Sequence, residues 1–392
     1  MWTISTIGEL AQSYKLGGNY TNSENETKAP LIKMGNLSRG YIKLKKIEYI
    51  PDGEPINKDD RIKEDDLFFN TRNTLELVGK VAVWRNELPV AYYNSNLMRI
   101  HFESNRFMNY KLNSFEGIKG LRRLATGTTS VAAIYTKDLI KLKQATPSLP
   151  EQEKIAAFLT SVDDRIDQLK RKKSLLQDYK KGAMQKLFSQ ELRFKDEQGK
   201  DFPDWEEKKL GEVGVFLRGI SYNSTNVSVT GLFVLRSTNI QDQRLMLDRD
   251  FQFIDVECPQ KISLKKGDIA ICMSNGSKRL VGKSAVYDGS YPHPLTVGAF
   301  CSIFRTANCL APFLLQTQAY SKYLHILLAG TNINNLKNSD LAELSFSIPS
   351  DSDEQTKIAN FLSSLDQKIE QVDTQITQTQ TFKKGLLQQM FV

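Results

Sequence analysis

Two polar loops carry the side chains in this sequence that are best suited to binding a polyanion. Each loop follows a short apolar run opened by an aspartate, Asp66–Asn70 in the first half of the chain and Asp268–Cys272 in the second. The loops begin Thr71-Arg72-Asn73 and Ser274-Asn275, and the second continues to Lys278-Arg279. Such side chains between strands can donate hydrogen bonds to phosphates and base edges. An ordinary solvated loop would have the same composition, so both interpretations stay open.

Further donors extend this candidate surface. Both loops lead into a Val-Gly-Lys segment, and Arg122-Arg123 and two Gly-Thr pairs, Gly127-Thr128 and Gly330-Thr331, lie farther along. A glycine backbone can approach a phosphate closely, or it can simply form a turn. The candidate DNA-binding residues are Arg72, Asn73, Lys80, Arg122, Arg123, Thr128, Ser274, Asn275, Lys278, Arg279 and Lys283.

Catalytic patterns are missing or malformed. The segment Gly276–Ser284 resembles a phosphate loop, but it has five residues between its glycines where the pattern needs four, and it leads into an apparent strand. The segment Pro203–Lys208 crowds the letters of a metal-dependent nuclease motif into a linker. No Asn-Pro-Pro-Tyr or Asp-Pro-Pro-Tyr is present to hold a flipped adenine, and His101, His293 and His325 are isolated. We therefore expect no catalytic, cofactor-binding or metal site in this chain.

The elements that must position these donors are duplicated. The segment EQEKIAAFLTSVDDRIDQL from Glu151 recurs as EQTKIANFLSSLDQKIEQV from Glu354, an offset of 203 residues. Over 151–188 against 354–391, 17 of 38 positions are identical without a gap. The same offset pairs shorter anchors throughout the halves: Trp2 with Trp205, Gly8-Glu9 with Gly211-Glu212, Asn36 with Asn239, Val78-Gly79-Lys80 with Val281-Gly282-Lys283, and Gly127-Thr128 with Gly330-Thr331. Between the anchors the halves differ, which predicts two domains of one fold that contact different things.

The repeated segments have the heptad pattern of a coiled coil. Apolar residues recur at alternating steps of four and three, a spacing that keeps one seam facing a partner helix. The predicted seam residues are Ile155, Leu159, Val162, Ile166, Leu169, Leu176, Ile358, Leu362, Leu365, Ile369, Val372 and Ile376. The alternative is a pair of single amphipathic helices that each lie on a globular core.

The linker predicts the direction of pairing. A helix of about 38 residues is roughly 57 Å long, and only residues 189–204 separate the first helix from the second globular half. Fully extended, such a linker reaches about 53–58 Å, and real linkers are more compact. A parallel pair would need the linker to run back along the whole helix, so we expect an antiparallel pair.

We predict an α+β fold with the pseudo-two-fold symmetry of a tandem duplication. Mixed α/β domains rich in short strands occupy 1–147 and 205–349. Spacer helices occupy 148–188 and 350–392, and the linker spans 189–204.

Bulk properties allow a soluble nucleic-acid-binding protein. A net charge of +8 and a pI near 9.0 make a polyanionic partner plausible without identifying one. No apolar run approaches the roughly 18 residues that a membrane span needs, and the N-terminus has no signal-peptide pattern. We expect a cytoplasmic protein whose four cysteines, Cys258, Cys272, Cys301 and Cys309, are buried free thiols.

The repeated helices resemble a known family. Residues Leu149–Ala156, residues Glu354–Ala359 and both Lys-Lys-Gly segments are similar to the conserved-region helices of type I restriction–modification specificity subunits. The linker from Leu192 to Trp205 resembles the segment that opens the second recognition domain in that family. The resemblance covers the whole chain in the order domain, helix, domain, helix.

The resemblance implies a non-catalytic DNA-recognition subunit. Each globular half would be a target-recognition domain that reads one part of a split, asymmetric target in double-stranded DNA. The helices would set the gap between the parts and dock two modification (methyltransferase) subunits. These would methylate adenine with S-adenosylmethionine, and restriction (endonuclease/translocase) subunits would join to use ATP and Mg. No cofactor is expected in this chain.

Two other function classes remain to be compared. One is a standalone DNA-bridging coiled-coil protein without a methyltransferase partner, which co-purification would distinguish. The other is a catalytic nuclease or NTPase, against which the missing motifs count.

Overall fold

The computed structural model describes residues 2–329 and 334–391. The chain divides into two compact units. The first unit comprises Met1–Lys172 and Val372–Val392, and the second comprises Lys173–Gln371. Each unit therefore contains one globular half, the start of one long helix and the end of the other. The Gly330-Thr331 pair lies outside the described residues.

The first unit contains short strands followed by helices. Its strands are β1 (Thr3–Thr6), β2 (Ala11–Leu16), β3 (Pro30–Ile32), β4 (Glu48–Tyr49), β5 (Leu67–Asn70), β6 (Arg72–Asn73), β7 (Val81–Val83), β8 (Tyr92–Tyr93), β9 (Leu97–Phe102), β10 (Thr126–Gly127), β11 (Ala132–Ala133) and β12 (Lys143–Thr146). Its helices are α1 (Ile7–Leu10), α2 (Asn105–Leu112), α3 (Phe115–Leu124) and α4 (Thr136–Leu139), and the long helix α5 (Leu149–Phe188) begins in it.

The second unit repeats this order. Its strands are β13 (Trp205–Lys209), β14 (Gly214–Arg218), β15 (Val227–Ser228), β16 (Leu232–Leu235), β17 (Ile240–Gln241), β18 (Arg244–Leu245), β19 (Phe253–Ile254), β20 (Ile269–Cys272), β21 (Ser284–Val286), β22 (Leu295–Val297), β23 (Cys301–Thr306) and β24 (Ser345–Pro349). Its helices are α6 (Leu210–Val213), α7 (Ala311–Leu314), α8 (Gln318–Ala329) and α9 (Asn338–Ala342), and the second long helix α10 (Ser352–Met390) begins in it.

Sheet topology confirms the duplication. The four-stranded antiparallel sheet β2-β9-β5-β7 of the first unit has its counterpart in β14-β23-β20-β21 of the second. The first and last strands of each globular half pair in the same way, β1 with β12 and β13 with β24. A parallel pair also recurs, β3 with β8 and β16 with β22.

Each four-stranded sheet is buried on both faces, as alternation along its central strand shows. In β5, Leu67 and Phe69 face a cluster that includes the long-helix residue Leu159, whereas Phe68 between them packs in a separate cluster with Tyr93. In β20, Ile271 likewise packs with residues of the long helices, and its neighbours pack on the opposite face. Successive side chains of a strand point to opposite faces, which explains the uninterrupted apolar runs in the sequence.

Within each unit the two long-helix segments run antiparallel. In the first unit Asp163 bonds Lys383, while Trp2 bonds Glu151 and packs its ring 6.2 Å from that of Phe391. Residue numbers therefore fall along α5 as they rise along α10. The second unit has the same arrangement, because Lys180 bonds Asp366 while the ring of Trp205 lies between Phe188 and Glu354.

The apolar heptad positions lie in the interior. Ile155, Leu176 and Ile369 are half-buried, and the other nine are buried, namely Leu159, Val162, Ile166, Leu169, Ile358, Leu362, Leu365, Val372 and Ile376. Truncating a buried leucine such as Leu159 to alanine costs about 2–5 kcal/mol in proteins generally.

The linker closes onto the second long helix. The Arg193 guanidinium donates to both carboxylate oxygens of Glu354, at 3.1 and 2.8 Å, and to the carbonyl groups of Phe202 and Pro203. Because this carboxylate is fully buried, the pairing offsets its desolvation.

The cysteine prediction was only half right. Cys272 and Cys301 are buried free thiols, but Cys258 is half-buried and Cys309 is exposed. Cys309 precedes α7 in a turn at the surface, where the chain pattern gives no burial signal. Within the described residues, no helix has the length and apolarity needed to cross a membrane.

Candidate nucleic-acid interface

The anchors shared by the two halves have matching structural roles. The indole of Trp2 donates to Glu151 at 3.1 Å, and the indole of Trp205 donates to Glu354 at the same distance. The glutamates of the Gly-Glu pairs accept from backbone amides three residues earlier, at the start of α1 and α6. The tryptophans attach the start of each globular half to the long helix that follows it, and the glutamates cap the short helix in that half.

Asn36 and Asn239, which match at the 203-residue offset, each stabilise a turn by hydrogen bonds to its backbone. Asn36 accepts from the Lys33 amide at 3.0 Å and donates to the Lys43 carbonyl at 3.0 Å. Asn239 accepts from the Arg236 amide at 2.9 Å and donates to the carbonyl of Met246 at 3.1 Å. Both side chains are buried. The turns from Asn36 to Lys43 and from Asn239 to Met246 therefore have equal length, so the side chains on them can be compared position by position.

The Val-Gly-Lys segments close equivalent hairpins. Gly79 and Gly282 have φ of +72° and +83°, a region that favours glycine. The carbonyls of Lys80 and Lys283 accept from the last residue of β5 and β20, at 2.9 Å in each case. Their side chains are half-buried. The glycine explains why the segment is repeated, and the lysine side chains remain candidates for DNA contact.

The first unit brings four cations together in a basic cluster of Arg39, Lys43, Lys80 and Arg122. Arg39 donates to the carbonyls of Gly79 and Glu76, at 3.5 and 3.4 Å, which places it beside Lys80. Lys43 lies 5.5 Å from the ring centre of Tyr41, which is half exposed.

The positive charges of this basic cluster repel one another. Burial lowers the pKa of Lys80, and the positive charges of Arg39 and Lys43 lower it further. Burial also lowers the pKa of Arg39, with a second contribution from Arg122. An anion bound here would relieve the repulsion.

A small sheet in the first unit gathers three more candidate residues. Strand β6, which is Arg72-Asn73, pairs with β11, and β11 pairs with β10. Thr128 follows β10 in the exposed hairpin turn, where its amide donates to the Val131 carbonyl at 2.9 Å. Gly127 has φ +123°, and an added Cβ would lie 2.3 Å from that carbonyl oxygen. Arg123 is exposed in the last turn of α3.

The second unit has a cavity of about 730 Å³. Its lining includes the predicted residues Ser274 and Asn275, together with Arg236, Tyr222 and Phe300. Phe300 is 71% exposed, so its ring presents apolar carbon to solvent at the cavity. A concave surface with an arginine, amide and hydroxyl groups, and exposed aromatic carbon can contact base edges and the thymine methyl group.

The remaining predicted residues of the second unit lie apart from the cavity. Lys278 and Arg279 form a 3₁₀ turn with Leu280, and the Lys278 ammonium donates to the carbonyl of Leu328 at 3.2 Å. Arg279 is exposed, and Lys283 is half-buried without lining the cavity.

Sequence reasoning missed Arg39, Lys43, Arg236, Tyr222 and Phe300. A usable signal existed for the first two, because they follow the repeated Asn36 at positions where the second half has Asp242 and Met246. Where a residue is repeated in both halves for a structural role, the neighbouring residues that differ between the halves can serve different functions. We find no sequence signal for Phe300, whose exposure depends on the turn that joins β22 to β23.

The Lys-Lys-Gly segments present a second repeated surface. The first lysine of each segment is used internally: Lys180 lies 2.6 Å from Asp366, and Lys383 lies 2.5 Å from Asp163. The preceding aromatic residues point outward, Tyr179 with 58% and Phe382 with 54% of the residue exposed.

The glycines Gly182 and Gly385 follow three residues after these aromatic residues, on the same helix face. An added Cβ would meet no atom within 4 Å at either position. Two helical glycines with empty space around them have no internal packing role.

Comparisons with known proteins agree with this geometry. A model of the type I restriction modification DNA specificity domain matches the chain twice, over residues 1–177 and 203–379. The type I restriction enzyme MjaVIII specificity subunit of Methanocaldococcus jannaschii is 25% identical over 411 aligned positions, covering 98% of this chain and 91% of that protein. The putative MjaX specificity subunit of the same organism is 25% identical over 228 positions, covering 55% of this chain and about half, 53%, of that protein.

A further relative and a solved structure show the same likeness. The EcoKI specificity subunit of Escherichia coli K12 is 30% identical over 156 positions, which are 37% of this chain and 32% of that protein. The crystal structure of a type I restriction-modification system S subunit from M. genitalium superposes with a TM-score of 0.65 at 18% identity, covering 100% of this chain and 96% of that one. The fold is therefore shared across the whole chain.

Proposed function

The chain belongs to the family of type I restriction–modification DNA specificity domains, and from that membership we propose that it is the sequence-specificity subunit of such a system. In this proposal it binds an asymmetric, two-part target in double-stranded DNA and directs partner subunits to methylate adenine and to restrict unmodified DNA. It carries out neither reaction itself. The MjaVIII, MjaX and EcoKI relatives are all named specificity subunits.

One observation carries the proposal: a duplicated scaffold holds two different polar surfaces. Anchors such as Asn36 and Asn239 make equivalent hydrogen bonds, yet the first unit carries a basic cluster and the second carries, at other positions of the shared scaffold, a cavity bearing Phe300. Sequence is read by side chains that differ from site to site, whereas the frame that presents them can be constant. Two different surfaces on one frame support two different half-sites.

Adenine methylation in cells with and without this gene tests the proposal. We expect one asymmetric motif of two short half-sites to lose methylation when the gene is deleted and to regain it on complementation. An unchanged methylome would contradict a role in modification and would favour the standalone DNA-bridging protein.

We propose that the long helices set the gap between the half-sites. Inserting seven residues, one heptad, into both α5 and α10 preserves the packing of the apolar positions while lengthening the helices by about 10 Å. The expected result is a longer gap between unchanged half-site sequences. A constant gap with altered bases would contradict this role.

We also propose that the Tyr179–Gly182 and Phe382–Gly385 surfaces dock one modification subunit each. Exposed aromatic side chains are enriched at interfaces, and a glycine in a helix costs about 1 kcal/mol relative to alanine, so retaining it twice without an internal contact supports close approach of a partner. S-adenosylmethionine, ATP and Mg would then be bound by the modification and restriction subunits, and the complex would act on DNA in the cytoplasm.

Co-purification with the modification subunit tests the docking surfaces. Tyr179→Ala and Phe382→Ala should each reduce the recovered ratio from two modification subunits per chain to one, and the double variant should recover none. Leu175→Ala is the matched control, because Leu175 is 60% exposed on α5 but its counterpart in α10 is Gln378. A ratio of two in the double variant would refute the assignment.

A further inference from the structure

The basic cluster of the first unit is held in place by the main chain. The Gly40 amide donates to the Val81 carbonyl at 2.8 Å, and the Asn109 side chain donates to the Gly40 carbonyl at 3.1 Å. These bonds fix the turn that carries Arg39 against the strand that follows Lys80. The proximity of these two cations is therefore a property of the fold and not of a chance side-chain rotamer.

Among the described residues, the four cations of the cluster have no ion-paired acidic partner, unlike three other arginines of the same unit. Arg85, Arg99 and Arg106 form ion pairs with aspartates at 3.1, 3.1 and 2.6 Å. Among the described residues, none of Arg39, Lys43, Lys80 and Arg122 has a carboxylate oxygen within 4.0 Å, although Glu76 is close enough to favour the charged form of Lys80 slightly. Four cations with one weakly coupled acid leave an excess of positive charge that suits an anion.

The second unit indicates that the fold does not need this cluster. The turns fastened by Asn36 and Asn239 have the same length, so Arg39 corresponds to Asp242 and Lys43 to Met246. At the same offset Arg122 corresponds to His325, and only Lys80 has a basic counterpart. A scaffold that forms without the cluster in one unit does not require it in the other.

We propose that Arg39, Lys43, Lys80 and Arg122 form a phosphate-binding site that holds the DNA backbone beside the half-site read by the first unit. This proposal rests on the proposed function and deepens it. The guanidinium and ammonium groups suit phosphate oxygens by charge and geometry, and the exposed Tyr41 beside Lys43 adds a hydroxyl donor. The second unit has no equivalent site, so the backbone contacts of the two half-sites differ in strength and in salt dependence.

Salt titration of DNA binding tests the site. The full chain is bound to a mixed-sequence 30-bp duplex between 50 and 200 mM salt, and log K is plotted against log salt concentration. Each lost phosphate contact reduces the slope by about 0.9. Arg39→Gln with Lys80→Gln should therefore flatten the slope by about two, so that the variant loses roughly tenfold less affinity over this range than the wild type.

Matched variants separate this site from general charge. Arg106→Gln with Lys119→Gln removes the same charge from ion-paired positions of the same unit, one half-buried and one exposed, and should leave the slope near the wild-type value. Arg39→Lys with Lys80→Arg keeps the charge and should restore most of the slope. If the double glutamine variant does not fold, Arg122→Gln at an exposed position should still lower the slope by about one.

Several results would overturn the proposal: no duplex binding by the wild type, an unchanged slope in the cluster variants, or an equal decrease in the control. So would inorganic phosphate that stabilises the wild type but not the cluster variant while the DNA slopes stay equal, because that identifies a free-phosphate site. DNA methylation in cells is a separate measurement. Wild-type cells that show no methylation of a two-part motif would contradict the proposed function, whereas the salt slope of DNA binding tests the phosphate site itself.

Titration of Lys80 supplies a second readout. Burial, Arg39 and Lys43 lower its pKa below the ordinary 10.5, while Tyr41 and Glu76 raise it slightly. A phosphate binds the protonated lysine, so affinity should begin to fall as the pH rises from neutral toward 10.5, earlier than an ordinary lysine would allow. Lys80→Arg stays charged and should flatten this decline. An identical pH profile for the two proteins would contradict a phosphate contact by Lys80.

Discussion

Replacing the two open helical glycines, Gly182 and Gly385, tests whether these positions serve the fold or a partner. Both lie inside long helices, Leu149–Phe188 and Ser352–Met390, and an added Cβ would meet no atom within 4 Å. The substitution to alanine therefore introduces no clash and gains only helix propensity. Alanine is favoured over glycine in a helix interior by about 0.8–1.0 kcal/mol, so each single variant should be stabilised by nearly that amount.

The assay is urea unfolding followed by circular dichroism at 222 nm. A stabilisation of about 1 kcal/mol moves the midpoint upward by roughly 0.3–1 M for a urea slope of 1–3 kcal/mol/M. In a unit of about 200 residues the same free energy raises Tm by roughly 2–4 °C. Gly385 is closer to its helix end than Gly182 is, so fraying should make its gain the smaller of the two.

Gly79→Ala and Gly282→Ala are the opposing controls. Their φ values of +72° and +83° disfavour a side chain, and the new Cβ would lie 3.0 Å from Ile134 Cδ1 and 2.3 Å from Leu324 Cδ1, respectively. The left-handed conformation alone costs about 1–2 kcal/mol, so both should be destabilised. A lower midpoint for Gly182→Ala would refute the argument that its surroundings are empty. A stabilised Gly182→Ala chain with undiminished recovery of the modification subunit would contradict close approach at that glycine.

Three further substitutions examine the frame, the helix pair and the cavity. Asn239→Ala leaves the Arg236 amide and the Met246 and Arg249 carbonyls without their side-chain partner, which should destabilise the second unit by about 2–4 kcal/mol in urea unfolding. A change below about 0.5 kcal/mol would contradict its role in stabilising the turn. Asp366→Asn removes the negative charge beside the buried Lys180 ammonium, which keeps the Gln316 amide oxygen at 2.8 Å as a second acceptor. Because the aspartate is itself partly exposed, we expect a loss of about 1–2 kcal/mol, with Lys180→Met in the same chain recovering much of it in a double-mutant cycle. Phe300→Ala should change or weaken one half-site in the methylome without altering the salt slope, since phenylalanine carries no charge; changes in both half-sites would contradict a local reading role.

The sequence predicts the long helices and the buried strands well, because these elements depend on local residue patterns that occur twice in the duplicated chain. The heptad positions from Ile155 to Ile376 can be identified from spacing alone, since the face of a helix follows from residue number. The antiparallel direction follows from the short linker, because chain length limits where the second half can begin. The apolar run of β5 predicts a strand buried on both faces.

The binding surfaces could be predicted only in part. Arg72 and Asn73 are far from Thr128 in sequence, and they belong to one small sheet because β11 pairs with both β6 and β10. Ser274 and Asn275 were predicted as DNA contacts, but the sequence could not place them in a cavity with Phe300.

The sequence by itself determined the duplication, the helical seam and the family, all of which rest on residue type and spacing along the chain. Only the tertiary structure decided which cations face one another and which side chains stay exposed. Arg39 and Lys80 are 41 positions apart, and they become neighbours because the Gly40 amide bonds the Val81 carbonyl. Coulomb repulsion depends on distance in space and on the dielectric of the surroundings, and both of these quantities are defined only after the chain has folded.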